Sequence, residues 1–444
     1  MLATENGVAI RRRMLDRVFD ARRQSDELFR LVRTESLYER PIPERHRIIF
    51  YVGHLEAFDC NLLGKHGFGV DGFHPALDRL FAFGIDPVSS GLPSDLPSDW
   101  PPLSEVRSYV TTVRAELDKK LDNGTLEQHS VQLDGVEMDT LLHVAIEHRL
   151  MHVETLAYML HQLPLDKKVR QTGSKNLDTA PLIPRMIEIP AGVATLGLRR
   201  SQETFGWDNE YEAHAVDVPA FAVDQYKVTN GQYLDFILAG GYETRSFWTD
   251  NDWNWKTAHG ISHPVFWRKA GDHWFYRTMF AEMPLPLDWP VYVSHAEAGA
   301  YARWARKSLP TEAEWHRAAY GNPSDSERTY PWGNEPPNDR LGNFDLQRWD
   351  PVPANELPEG RSAFGLHGML GNGWEWTSTP FGAFDGFIPF SFYPGYSADF
   401  FDGKHFVMKG GSARTAACML RPTFRNWFQA HYQYVYTGFR CVYR

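Results

Sequence analysis

The stretch Glu147-His148-Arg149-Leu150-Met151-His152-Val153-Glu154 decides how the amino-terminal half of the chain is read. Histidines four residues apart lie about one turn from each other on one helix face, the spacing that lets two imidazoles reach a single metal ion. Met138, Leu141, Ala145, Leu156 and Met159 continue the apolar stripe that carries His148 and His152. The pair is therefore predicted to point into a core or cleft. Glu154, two positions past His152, projects from a different face and is not expected among the ligands.

Three more amphipathic helices are predicted around this one. From Arg11 to Val32, the residues Leu15, Val18, Phe19, Phe29 and Val32 recur at helical spacing. From Glu44 to Gly64, a helix would place His46, Phe50, His54, Ala57 and Asn61 along one side and stop at the Gly67/Gly69 breakers, which makes His54 a candidate third ligand. Phe68 to Pro102 is rich in Gly, Pro, Ser and Asp and reads as a long excursion with one short apolar piece, Leu80-Phe81-Ala82-Phe83. Long loops of this kind are often functional. Ser104 is then expected to cap a helix whose Val106, Val110, Val113, Leu117 and Leu121 form an apolar stripe. Amphipathic helices with histidines on their inner faces describe a four-helix bundle with a metal in or at the end of its core. Three neutral imidazoles suit Zn(II), Fe(II), Ni(II) or Cu(II), and the ligand set alone does not choose between them.

At 444 residues the chain is long enough for two or three domains. A net charge of -10 with no basic run to offset it argues against nucleic-acid partners and for small molecules. The 3 cysteines are too scattered for a disulfide framework, which fits a reduced cytoplasm. Neither a signal peptide nor a membrane-spanning window is expected. Periodicity is lost after Leu163, so residues 1–163 are predicted as the bundle, 164–185 as a linker and 186–444 as a second domain. Every tryptophan except Trp100 lies beyond residue 200, and there Gly, Pro and aromatic residues are dense. This half reads as mixed helix and strand, making the whole chain α+β. Ser294 with Glu297, and Thr311 with Glu314, are capping boxes that open short helices.

Several carboxy-terminal segments have a fixed wording: Leu309-Pro-Thr-Glu-Ala-Glu-Trp315, Tyr330-Pro-Trp-Gly-Asn334, Gly368-Met-Leu-Gly-Asn-Gly-Trp-Glu-Trp-Thr377, Lys409-Gly-Gly-Ser412 and Gly438-Phe-Arg440. These resemble the formylglycine-generating-enzyme (sulfatase-modifying factor) domain, a variant of the C-type-lectin-like fold, from about Met186 to the end. Such segments identify a loop-rich fold and do not name a reaction. The catalytic cysteine pair of the oxygen-using formylglycine enzymes corresponds to Thr415 and Leu420 here, with Cys418 between them. The resemblance therefore implies no copper-thiolate chemistry.

The amino-terminal half resembles the DinB-like bundle, whose three-histidine metal site matches His54, His148 and His152. Together the two halves resemble the ergothioneine sulfoxide synthases (EgtB). The resemblance implies a non-haem Fe(2+) and O2 as co-substrate, joining a thiol to C2 of the imidazole of hercynine, the trimethylated betaine of histidine, to give a sulfoxide. A facial set of neutral histidines leaves positions open for a thiolate, the hercynine imidazole and dioxygen. The thiolate must then supply the electron density that favours oxygen binding, so substrate is expected to gate oxygen activation.

Asn426-Trp427 matches an Asn-Trp pair that contacts hercynine in the family. Trp427 and Phe428 offer aromatic faces to a quaternary ammonium, and Asn426 with Arg421 or Arg425 suits a carboxylate. Phe428 stands where the branch using gamma-glutamylcysteine has Asp, which favours free cysteine as the thiol. Tyr393 and Tyr396 are the candidates for the family's proton-donating tyrosine, since Phe81 to Trp100 contains none. Met151 stands where some relatives carry a polar residue. The active site is expected where the metal end of the bundle meets the Asn426-Trp427 loop. A selenoneine synthase or ovothiol-type synthase of the same architecture, a zinc or nickel DinB-type thiol transferase, and a binding protein with structural histidines are the alternatives. The oligomeric state is left open.

Overall fold

The computed structural model describes residues 2–70, 72–82, 93–122, 136–169, 180–202 and 204–444. The chain divides into two compact units, Met1–Gln171 and Thr172–Arg444. The first unit is built on the helices α1 (Leu2–Arg30), α2 (Ile48–Asp59), α3 (Pro75–Leu80), α4 (Leu103–Asp122) and α5 (Met138–Gln162). α1 packs along α5, and α2 lies against both α4 and α5. Among the described residues, no helix is long and apolar enough to cross a membrane.

The buried stripe from α1 onward is Met14, Val18, Ala21, Ser25, Leu28 and Val32, a run of alternating three- and four-residue steps. Phe19, expected on that stripe, is instead 40% exposed, while the small residues Ala21 and Ser25 are buried. α2 departs from expectation at both ends. His46 lies in the turn before the helix rather than on it. Beyond Asp59 the winding widens to a π-helix over Cys60–Gly67. Asn61, expected in line with His54, lies in this π-helical segment and is exposed. α4 begins at Leu103, where the Pro102 carbonyl accepts from Glu105 and Val106. Ser104 thus sits inside the first turn and is not the cap.

Pro164 to Val169, assigned to the linker from sequence, are part of the first unit. Arg33 N–H donates to the Lys167 carbonyl at 3.1 Å and Val169 N–H to that of Leu31 at 2.8 Å. Lys168 Nζ caps the end of α5 by donating to the Leu160 carbonyl at 3.0 Å. Phe83 and linker residues 170–179 lie outside the described residues.

A buried ion network ties the long helices together. Arg149 on α5 donates to Glu56 at 2.9 Å, to Asp59 at 2.7 Å and to the Leu55 carbonyl at 3.0 Å, all on α2. Arg114 on α4 bridges Glu56 and Asp26 on α1, each at 2.7 Å, while Arg22 on α1 reaches Asp118 on α4 at 2.5 Å and Asp59 at 3.8 Å. Burial opposes the Glu56 charge, but Arg149 and Arg114 outweigh it and draw its carboxyl down to about 2. Asp59 is pushed the other way, by burial and by the neighbouring Glu56 charge.

The second unit is loop-rich, with four small sheets among the described residues. β1 (Met186–Ile189) and β12 (Val442–Tyr443) flank β4 (Phe221–Asp224), both antiparallel to it. β2 (Gly192–Leu196) pairs with β3 (His214–Val218), and β5 (Trp267–Ala270), β6 (His273–Arg277) and β7 (Glu282–Pro284) form a meander. The fourth sheet orders β10 (Asn426–Gln429), β9 (His405–Lys409), β8 (Trp374–Pro380) and β11 (Thr437–Gly438). Helices α6 (Asn230–Leu238), α7 (Asp250–Ala258), α8 (His295–Trp304) and α9 (Glu312–Tyr320) follow in chain order between these strands. The boxes at Ser294/Glu297 and Thr311/Glu314 are formed, and Thr229/Gln232 makes another at α6. One core packs Trp315, Ala318 and Ala319 of α9 against Ile189, Ala194, Phe221, Met369 and Leu420. Gly410 and Gly411, at φ 101° and 152°, take backbone conformations that a side chain would strain.

Losing Arg149 takes the nearest cation from buried Asp59, leaving it Arg22 at 3.8 Å, and one of two cations from Glu56; breaking a buried ion pair costs about 3–5 kcal/mol. Arg149→Met is expected to lower the unfolding free energy of the first unit by that amount, read from urea denaturation followed by circular dichroism.

Candidate metal centre

α2 and α5 bring His54, His148 and His152 together, each buried, with one ligand nitrogen from each lying within 4.8 Å of the others. The Nε2 atoms of His148 and His152 are 3.2 Å apart. Two nitrogens at about 2.1 Å from one ion stand roughly 3.0–3.4 Å apart for tetrahedral or octahedral angles. The α5 pair already has that separation, and the His54 nitrogen lies within 4.8 Å of both. The His54 Nδ1–H donates to the Phe81 carbonyl at 2.7 Å, which leaves the Nε2 lone pair for a metal. A backbone acceptor of this kind commonly fixes the tautomer of a ligating histidine.

All three rings are neutral. Burial lowers His54 to about 4, against the opposing effect of the Phe81 hydrogen bond. Burial together with the neighbouring imidazoles and Arg149 holds His148 and His152 well below the usual imidazole value. Neutral imidazole is the ligating form, so the donor set fits a divalent ion. Among the described residues no carboxylate or thiol joins the group. Phe50 stacks on His54 with centroids 4.8 Å apart, and Phe58 stacks on His148 at 3.4 Å. Phe50, His54 and Phe58 recur every four residues, a signal that marks Phe58 as part of the same face.

In the second unit, Trp427 lies on β10 with Phe381 stacked at 4.1 Å and 6°, and Tyr396 edge-on at 5.4 Å. Tyr393 is 5.4 Å from Tyr396, which also stacks on Trp207 at 3.9 Å. Asn426 Oδ1 accepts the Trp427 N–H at 2.9 Å, and Phe428 stacks on Tyr432 at 5.0 Å.

The sulfatase-modifying factor enzyme 1-like domain family matches residues 173–444. A protein named hercynine oxygenase from Mycobacterium tuberculosis is 38% identical over 349 residues, covering 76% of this chain and 77% of that one. The chain belongs to the ergothioneine sulfoxide synthase (EgtB) family. Another member named hercynine oxygenase, from Mycolicibacterium smegmatis, is 35% identical over 82% of this chain and 83% of its own. Ergothioneine biosynthesis protein 1 of Neurospora crassa is 29% identical over 92% of this chain and 55% of its own.

Against the expectation drawn from their chemistry, both arginines are engaged with carboxylates of the chain itself. Arg425 donates to both oxygens of buried Glu312, at 3.0 and 3.2 Å, and to the Gly382 carbonyl at 3.0 Å. Arg421 makes a bidentate pair with buried Glu210, at 2.9 and 2.5 Å, and donates to the Cys418 carbonyl at 3.0 Å. Both guanidinium groups serve to hold the segment before β10 in place.

The histidine cluster predicts that the chain takes up one Co(II) or Fe(II). A ligand present at about 100 times its dissociation constant adds about 2.7 kcal/mol to folding stability. That gain is expected in metal titrations of the thermal transition. It should vanish in His54→Ala and His148→Ala; a gain kept in both variants would place the metal elsewhere.

Proposed function

We propose that the chain is a non-haem iron(II) enzyme that uses dioxygen to join the sulfur of cysteine to C2 of the hercynine imidazole, forming a sulfoxide in ergothioneine biosynthesis. The observation that carries this reading is the cluster of three buried, neutral imidazoles with no carboxylate in the group among the described residues, in a chain 38% identical to a hercynine oxygenase. The reaction balances: thiol S–H and imidazole C–H are broken, a C–S bond is made, one oxygen atom ends on sulfur, and the other leaves as water with the two hydrogens. Iron, when bound, supplies the redox centre for reducing dioxygen.

The chain's own residues have separable tasks. His54, His148 and His152 hold the ion without adding negative charge, so a substrate thiolate is needed to balance it. Phe50 and Phe58 cover the faces of two ligands and keep water from them. Trp427, backed by Phe381, offers the trimethylammonium group of hercynine a π face, a partner suited to a cation that cannot donate hydrogen bonds. Asn426 Nδ2 has no hydrogen-bond partner among the described residues and is assigned to the hercynine carboxylate. Phe428 gives no polar contact to a gamma-glutamyl group, which supports free cysteine. Tyr396, at the edge of Trp427, and Tyr393 beside it are the proton-donor candidates.

The test is anaerobic loading with Fe(II), followed by oxygen uptake and product mass spectrometry with hercynine and either cysteine or gamma-glutamylcysteine. One dioxygen consumed per hercynyl-cysteine sulfoxide is expected, with cysteine preferred. Uptake equally fast without thiol, or a zinc-loaded chain that is just as active, would sink the proposal. Cation–π contacts contribute up to about 2 kcal/mol, so Trp427→Ala should raise the KM for hercynine by about ten- to thirty-fold.

A further inference from the structure

Gly53 immediately precedes His54, and the space a side chain would occupy there is filled. A Cβ at Gly53 would meet Cδ2, Cε2 and Cζ of Phe81 at 2.5 Å. The Phe81 ring is fully buried in this notch of α2, while its backbone carbonyl is the acceptor for His54 Nδ1–H. Ring seat and acceptor belong to one residue, so the depth to which Phe81 sinks into α2 sets where the acceptor stands.

The far side of Phe81 is anchored as well. It closes α3, its N–H donating to the Leu77 carbonyl at 2.9 Å. Asp78 on α3 accepts from the N–H groups of Phe73 and His74, at 3.1 and 2.9 Å, and from the Tyr109 hydroxyl of α4 at 2.7 Å. The Phe81 and Tyr109 rings are themselves 5.7 Å apart. α3 is therefore held between α4 and the glycine notch of α2, with its last carbonyl aimed at a histidine.

We infer that Gly53, Phe81 and α3 form a positioning device for His54, one that selects the tautomer exposing Nε2 and sets the ring angle. Metal affinity then depends on residues that never touch the ion. The inference rests on His54 being a metal ligand. Outer partners of ligating histidines are typically worth 10–100-fold in metal affinity.

Co(II) is the probe, with its dissociation constant and ligand-field absorption measured on folded protein. Gly53→Ala is expected to weaken Co(II) binding by about 10–100-fold and to alter the absorption. Gly64→Ala is the control, because a Cβ there meets nothing closer than 3.8 Å, and it should bind as the wild type does. Gly53→Ala combined with Phe81→Leu restores room and should recover most of the affinity. Should Gly53→Ala not fold, Tyr109→Phe frees α3 without adding atoms and is expected to weaken binding about tenfold. Wild-type affinity in folded Gly53→Ala or Tyr109→Phe, or no recovery in the double variant, overturns the device while leaving the metal centre standing. A wild-type chain that takes up no Co(II) overturns both.

Discussion

The guanidinium of Arg149, enclosed by Glu56 and Asp59, is the constraint on which the first unit depends. It sits next to His148 in sequence, and its two carboxylates follow His54 on the facing helix. Sliding α5 by one turn, about 5.4 Å, would break both pairs and leave the Arg149 guanidinium in the interior without its carboxylates. A buried ion pair adds little net stability over an apolar substitute, but here it supplies a unique register, and that register is what faces one histidine toward two others.

The second unit uses the same device at its own candidate site. Arg440 and Lys227 converge on fully buried Glu375, joining the Gly438-Phe-Arg440 segment to the Trp374–Thr377 segment. Arg425 with Glu312, and Arg421 with Glu210, pin the chain on the approach to β10. Lys409 adds its own donations to the Pro422 and Phe424 carbonyls, at 2.9 and 2.7 Å. With its cations spent internally, this part of the unit presents Asn426, Trp427 and Phe428, whose chemistry is an amide and aromatic faces.

Local periodicity makes the histidine cluster legible. His148 and His152 follow the helical step, and His54 shares a stripe with Phe50. The π-helical segment that holds Asn61 leaves no mark in an apolar pattern, and nothing in the sequence shows that the Pro102 carbonyl, rather than Ser104, meets the first N–H groups of α4. The roles of Arg421 and Arg425 could not be read at all, since their carboxylates lie 211 and 113 residues away. Glu56, Asp59 and Arg149 were invisible for a related reason: charges on a helix count as surface until a partner on another helix is known. The Asn426-Trp427 pair was found through its resemblance to a known sequence, as nothing in its local pattern distinguishes it from core aromatics.

The depth of the Arg149 pairs has a bearing on ionic strength. Mobile ions screen charges they can surround, with a range of about 8 Å at physiological concentration, and act far less on groups sealed from water. The Arg23 contacts to Asp20 and Glu27, all three residues about half exposed, should fade as electrolyte is added. Arg149, Glu56 and Asp59, each about 2% exposed or less, keep their attraction. The helix carrying His148 and His152 is thus held by forces that brine does not reach, and the surface charge of this acidic chain can adjust to its medium without disturbing the histidines.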